Sequence, residues 1–202
     1  MAKETKNPAA VAPAAFDWSK TGSTGFESVG KEDLGIPFLL IVQKGSPEID
    51  KTHKDYQQKK IAGAEVGDIV NTITRQVVYK SGSDKPLKFI PCSYERSYVE
   101  WSSREKGGGV VRMHKNANII NECTRNEKGQ DVHRNGNLIV TTAYFYGLVI
   151  GDDGSRNPAI VSLTSTQLKK ARAWLNTATT LKVPGPNGPY TPPLFSHEYL
   201  VT

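Results

Sequence analysis

Cysteine and long apolar runs are both scarce in this sequence, and each shortage excludes a class of protein. The 202 residues contain two cysteines, Cys92 and Cys123, so no disulfide framework is expected. No apolar run approaches the roughly 20 residues that a membrane-spanning helix needs. The first residues also lack the apolar segment of a secretory signal peptide. We therefore expect a cytosolic protein that has no membrane partner.

The sequence also lacks a complete catalytic motif. Residues 25–31 (GFESVGK) nearly match a phosphate-binding P-loop, but Glu32 stands where Ser or Thr would contact Mg²⁺. The pair Asp152-Asp153 is flanked by glycines, which is typical of a turn. The potential zinc ligands are widely spaced and include no C-x-x-C pair: Cys92, His114, Cys123 and His133. We predict no catalytic residue, metal or cofactor, and keep a metal-dependent nuclease and a protein-interaction module as alternatives.

Positive charge is concentrated in the middle of the chain. The net charge is +6, and residues 85–135 carry ten basic and six acidic side chains, whereas residues 1–65 carry nine of each. A basic patch favours a polyanionic partner such as nucleic acid, although a solubilising surface has the same composition.

Five segments rich in β-branched and aromatic residues predict a mainly β fold. A helix is predicted after them, with Thr164 or Ser165 as its N-cap and apolar residues at helical spacing. This pattern favours a five-stranded barrel of the oligonucleotide/oligosaccharide-binding (OB) type, with one late helix and long loops. Residues 1–24 are predicted to be a flexible arm and residues 25–202 the domain. The predicted strands lie in residues 66–80, 87–101, 138–150, 159–163 and 194–202.

Alternation along residues 87–101 predicts one binding face and one core face. Its even positions include Lys88, Tyr94, Arg96 and Tyr98, whereas Trp101 falls with the core set. Tyrosine rings stack on any base, and basic side chains follow the phosphates. The alternative is that these tyrosines pack beneath a loop, and Pro91 is the point where a bulge would shift the register.

Further candidates lie beyond this strand. Gly107–Gly109 predicts either a mobile flap or a plain hairpin turn. Tyr144 and Tyr146 share one face of the strongest strand, with Phe145 on the other, and Tyr146 is taken as a candidate. The complete set of candidate nucleic-acid-binding residues is Lys88, Tyr94, Arg96, Tyr98, Trp101, Arg104, Lys106, Arg112, Lys115 and Tyr146.

Several short segments occur in an order that resembles the helix-destabilising single-stranded-DNA-binding proteins of tailed bacteriophages. They include DLGIPFL (33–39), GDIVN (67–71), FIP (89–91), YER (94–96), EW (100–101), LTSTQ (163–167) and PPLFS (192–196). The resemblance implies an OB-fold protein that coats DNA during replication and recombination in the cytoplasm of the infected bacterial host. It also implies that residues 94–96 and 100–101 form the wall of a basic cleft.

The end of the chain departs from this functional class. Such proteins carry an acidic C-terminal tail that recruits replication proteins, but this sequence ends at Leu200-Val201-Thr202. Either a tail has been removed or this protein lacks one, and we expect removal because the sequence stops inside a predicted strand. Single-stranded DNA is the expected partner, with weaker binding to duplex DNA. RNA is kept as an alternative ligand, because stacking on the bases does not distinguish ribose from deoxyribose.

Overall fold

The computed structural model describes residues 35–103 and 108–202, and Ile36–Thr202 form one compact unit. The predicted N-terminal arm, the P-loop-like segment, Arg104 and Lys106 lie outside the described residues. The fold is mainly β, as predicted. The strands are β1 Phe38–Ile41, β2 Ile69–Asn71, β3 Gln76–Tyr79, β4 Leu87–Trp101, β5 Val110–His114, β6 Cys123–Arg125, β7 Asp131–His133, β8 Leu138–Ile150, β9 Arg156–Thr164 and β10 Tyr199–Val201. The α-helices are α1 Tyr56–Lys59 and α2 Leu168–Thr180.

These strands form one mixed sheet that is not closed. Its order is β10-β4-β8-β9-β1-β2-β3, with β5 added to β4, β7 added to β8 and β6 added to β7. The pairing of β1 with β9 is parallel, and the remaining pairings are antiparallel. The described part of the chain therefore holds ten strands where five were predicted. The additional strands are three to five residues long, too short for alternation to reveal them.

The long strands β4 and β8 form a continuous antiparallel ribbon at the centre of the sheet. Its register steps from Pro91 opposite Gly147 to Ser93 opposite Tyr146, so Cys92 is an extra residue in β4. Such a bulge reverses which side of the sheet each later residue faces. Pro91 itself is fully buried, and Cys92 is exposed. The bulge predicted at Pro91 is therefore present, and its extra residue is Cys92.

Helix α2 packs against one side of the sheet and closes the main core. Its apolar stripe follows the predicted spacing, and the Thr164 N–H donates to the Gln167 side chain at 3.4 Å just before the helix begins. The Trp174 ring stacks on Phe145 with centroids 4.3 Å apart. The core joins side chains from β1–β3 to others from β4, β8 and β9, so the sheet curls around it. Neither α-helix among the described residues has the length and apolar character needed to cross a membrane.

Candidate nucleic-acid interface

The ribbon of β4 and β8 presents two faces, and the bulge at Cys92 decides which residues share them. Directly opposed residues of an antiparallel pair point to the same side of the sheet. Tyr94 lies opposite the core residue Phe145, which places it on the side where α2 packs, here named the helix-side face. The opposite side, named the outer face, carries Tyr144 and Tyr146.

Tyr94, Arg96 and Tyr98 follow one another along the helix-side face. Interaction with Tyr94, and then with Tyr98, raises the pKa of Arg96, which places this guanidinium between the two phenols. Tyr94 is partly buried against the Phe145 ring at a centroid distance of 5.2 Å, whereas Arg96 is exposed. Tyr94, Arg96 and Tyr98 do lie on one face, as predicted, but this face is on the side of the core residue Phe145, so the prediction that it lies opposite the core is wrong.

Two further arginines lie on the same side. Arg112 of β5 is opposite Glu100 of β4, and Arg172 of α2 lines a small cleft together with Tyr94 and Arg96. Within the described residues, none of these three arginines has a carboxylate within 4.0 Å. None of the three therefore forms a direct ion pair with a described acidic side chain, although Glu100 lies opposite Arg112. We name this set the arginine–tyrosine face: Tyr94, Arg96, Tyr98, Arg112 and Arg172.

The remaining described candidates lie on the outer face. Lys88 precedes the bulge and lies opposite Ile150 at the far end of the ribbon, so the prediction that it shares a face with Tyr94 is wrong. The bulge places Trp101 on the side opposite Leu87 and Phe89, and at the end of β4 it is 39% exposed, although Val99 on the same side is buried. Lys115 lies 3.7 Å from Glu95. Tyr146 is partly buried and packs with Tyr144 at a ring distance of 6.2 Å.

Trp101 has a different environment from the arginine–tyrosine face. It lines a cleft of about 1000 Å³ together with side chains from residues 45–59 and with Ser102, Gly108 and Gly109. Among the described lining residues, Lys54 and Lys59 are balanced by Asp50 and Asp55. An exposed indole in this cleft offers a stacking surface.

Glu100 holds the end of the ribbon together beneath Arg112. Its carboxylate is buried and accepts from the amides of Asn137 at 2.7 Å and Asn135 at 2.8 Å, and His114 Nε2 lies 2.9 Å from its other oxygen. The hydrogen bonds from Asn137, Asn135 and His114, in that order, lower the pKa of Glu100 from 4.5 to about 2. This carboxylate therefore fastens β5 and the turn between β7 and β8 to β4.

Acid titration is expected to expose the contribution of Glu100. A carboxyl whose pKa is lower in the folded than in the unfolded state stabilises the fold above its unfolded pKa, and that contribution disappears as the pH falls toward its folded pKa. The free energy of unfolding should therefore differ between the protein and Glu100→Gln near neutral pH, and the difference should shrink from about pH 4.5 toward pH 2. Urea unfolding at several pH values measures it. Glu127→Gln, at an exposed turn residue, serves as the control. A pH-independent difference for Glu100→Gln would contradict this account.

The residues considered as metal ligands are not gathered into one site. Cys123 lies opposite His133 in the ladder of β6 and β7, whereas His114 is bound to Glu100. Asp153 accepts from the Ser155 N–H at 2.9 Å, which is the turn that its sequence predicted. Within the part of the chain that the structure describes, no three His, Cys, Asp or Glu side chains are grouped as metal ligands.

Two residues of this region were not recognised from the sequence. Arg172 was not predicted because it lies in a helix that is far from β4 along the chain. A usable signal was nevertheless present, since α2 (LKKARAWLNTATT) contains three basic and no acidic side chains. Phe38 is 40% exposed and contacts Tyr144 edge-on at a ring distance of 6.3 Å on the outer face. The parallel pairing of β1 with β9 that brings it there leaves no local trace in the sequence.

Comparison with known proteins places the chain among phage proteins. A family model described as "Pam3 phage gp34-like protein" matches residues 3–202. The chain belongs to this family. No curated protein and no solved structure matches it. Membership of the Pam3 phage gp34-like family agrees with the phage origin that the sequence resemblance implied, and DNA binding stays a prediction.

Proposed function

We propose that this phage protein binds single-stranded DNA without reading its sequence, through the arginine–tyrosine face. The observation that carries the proposal is a set of three guanidiniums, without ion-pair partners among the described residues, that lies with two tyrosines on one side of the sheet. Phosphates are bound by uncompensated basic groups, and aromatic rings stack on bases of any identity. Phosphate binding and base stacking are both independent of the DNA sequence, which suits a protein that coats DNA.

The proposed mechanism is passive. Bases in a duplex are stacked on one another, whereas those of a single strand are free to reach Tyr94 and Tyr98. Binding to the single strand is therefore stronger, and the bound protein traps melted DNA by mass action. No bond is made or broken, so we propose no catalytic role. In the infected cell such a protein would protect strands exposed during replication and recombination of the phage genome.

We further propose that the sheet is a variant of the OB type. The curled sheet around one core and the late helix α2 support this relation. The unclosed sheet and the long ribbon of β4 and β8 distinguish it from a five-stranded barrel. The ribbon extends the platform on which the arginine–tyrosine face is built.

Titration of a labelled oligo-dT by fluorescence anisotropy tests the function. We expect nanomolar to micromolar affinity at low salt. The logarithm of the affinity should fall with the logarithm of the salt concentration with a slope of magnitude about 2 or more, because each phosphate contact to a single strand contributes about 0.7. Duplex DNA of the same length should bind more weakly.

Two results would count against this function. Absence of any anisotropy change at low salt would refute DNA binding. Cleavage of the labelled strand in Mg²⁺ or Mn²⁺ would instead support the nuclease alternative, because a coating protein leaves the strand intact. A variant with both Tyr94 and Tyr98 replaced by alanine should bind oligo-dT more weakly, by about 1–3 kcal/mol for each base that no longer stacks. Unchanged affinity would leave the protein-interaction module as the better account.

A further inference from the structure

An apolar cavity of about 360 Å³ lies between α2, β10 and the curled sheet, away from the arginine–tyrosine face. Its walls include the aliphatic side chains of Leu39, Ile69, Leu87 and Leu163. The volume falls within the range of about 300–1000 Å³ that is typical of small-molecule sites. A cavity of this size beside a well-packed aromatic cluster is a candidate binding site, since protein cores ordinarily contain few voids larger than a water molecule.

A lysine and a tryptophan of α2 line the same cavity. Lys170 and Trp174 are four residues apart, which places them on the same side of the helix. Lys170 is exposed and has no carboxylate within 4.0 Å in the described part of the chain. The Trp174 ring contributes to the wall, whereas its Nε1 atom is buried and does not face the cavity.

The Trp174 ring is held in position by its neighbours. Phe145 stacks on it, the Phe89 ring approaches at 5.8 Å and the Tyr199 ring at 5.4 Å. These contacts on several sides hold the indole ring, so the aromatic cluster forms a packed wall of the cavity.

We propose that the cavity binds a fatty acid. The aliphatic walls accept the acyl chain, and the Lys170 ammonium pairs with the carboxylate. A ligand with a cationic head would meet Lys170 unfavourably, and a sugar would leave its hydroxyl groups unpaired against aliphatic walls. This inference does not depend on the proposed DNA binding, because the two sets of residues are different.

Isothermal titration with dodecanoate below its micelle concentration tests the proposal. We expect one dodecanoate per chain and binding of dodecyltrimethylammonium that is at least about tenfold weaker. Lys170→Gln should weaken dodecanoate binding by at least about threefold, as expected for an exposed ion pair. Lys169→Gln is the matched control, because the neighbouring lysine does not line the cavity.

The outcomes separate the proposal from its alternatives. No heat with dodecanoate would overturn it, as would an equal loss of affinity in Lys169→Gln or tighter binding of the cationic probe. Co-sedimentation with anionic phospholipid vesicles distinguishes the source of the acyl chain. Binding of dodecanoate without co-sedimentation supports a free fatty acid. A third outcome is that the protein co-sediments with vesicles, Lys170→Gln abolishes co-sedimentation, and dodecanoate does not bind. This outcome would overturn the proposal of a free fatty acid and assign the site to a lipid head group.

Discussion

Replacing Arg96 and Arg172 together by alanine is expected to weaken oligo-dT binding about 25-fold at 0.1 M salt. Each phosphate contact to a single strand contributes about 0.7 to the slope of log affinity against log salt, so two lost contacts reduce its magnitude by about 1.4. Counterion release no longer favours binding at about 1 M salt. Over the tenfold change in salt concentration from 1 M to 0.1 M, a slope change of about 1.4 lowers the affinity about 25-fold. Because the two guanidiniums are exposed and without carboxylate partners in the described residues, the fold should tolerate both changes.

Arg156→Ala provides the matched control. Arg156 is also exposed, but it lies opposite Ile150 at the end of β8 and β9 that is remote from Tyr98. Its removal changes the net charge by one unit without touching the arginine–tyrosine face. Anisotropy titrations at several salt concentrations should therefore give a slope close to that of the unchanged protein. A similar loss from Arg156→Ala would mean that overall charge, and not this face, binds the DNA. An unchanged slope in the double variant would place the DNA elsewhere.

Local patterns were sufficient for the elements with strong signals. The run of residues 138–150 was predicted as a strand with Phe145 on the opposite side from Tyr144 and Tyr146, and the structure confirms this arrangement. The helix after Thr164 was predicted from its cap and its apolar spacing, and α2 follows it. Both signals depend on neighbours within a few residues, where alternation and capping operate.

Non-local contacts account for what the sequence did not reveal. Nothing near Phe38 indicates that β1 pairs in parallel with β9, and nothing near Arg172 indicates that it lies beside Arg96. The short strands β5, β6 and β7 extend the ribbon through pairings that alternation over three to five residues cannot specify. The sequence therefore grouped Tyr94, Arg96 and Tyr98 of β4 but did not reveal that Arg172 of α2 lies beside them.

The division of β4 into faces failed for a local reason. Alternation assumes one residue per step, and a bulge adds a residue without changing composition. Relative to the core residues Leu87 and Phe89, Lys88 was assigned to the correct side. The candidates after the bulge were assigned to the wrong sides, but Tyr94, Arg96 and Tyr98 kept their mutual relation because all three follow the bulge. Pro91 indicated an irregularity, but a proline cannot specify whether the ladder is broken, bent or bulged.

Deletion of Cys92 is expected to abolish this arrangement and to cost most of the stability of the fold. Without the extra residue, the residues before and after it cannot both keep their faces. Either Phe89 and Leu87 leave the core, or Tyr94 turns away from Phe145. Loss of a buried Leu or Phe side chain costs about 2–5 kcal/mol, so moving both approaches the total of about 5–15 kcal/mol that stabilises a typical domain.

Urea unfolding distinguishes the role of the extra residue from that of its side chain. Cys92→Ala retains the bulge and removes only an exposed thiol, so its free energy of unfolding should change by less than about 1 kcal/mol. The deletion should lose its cooperative transition or shift it to much lower urea concentration. If the deletion unfolded at the midpoint of Cys92→Ala, the bulge would not determine the faces of β4. The alignment of the arginine–tyrosine face with α2 would then need another cause.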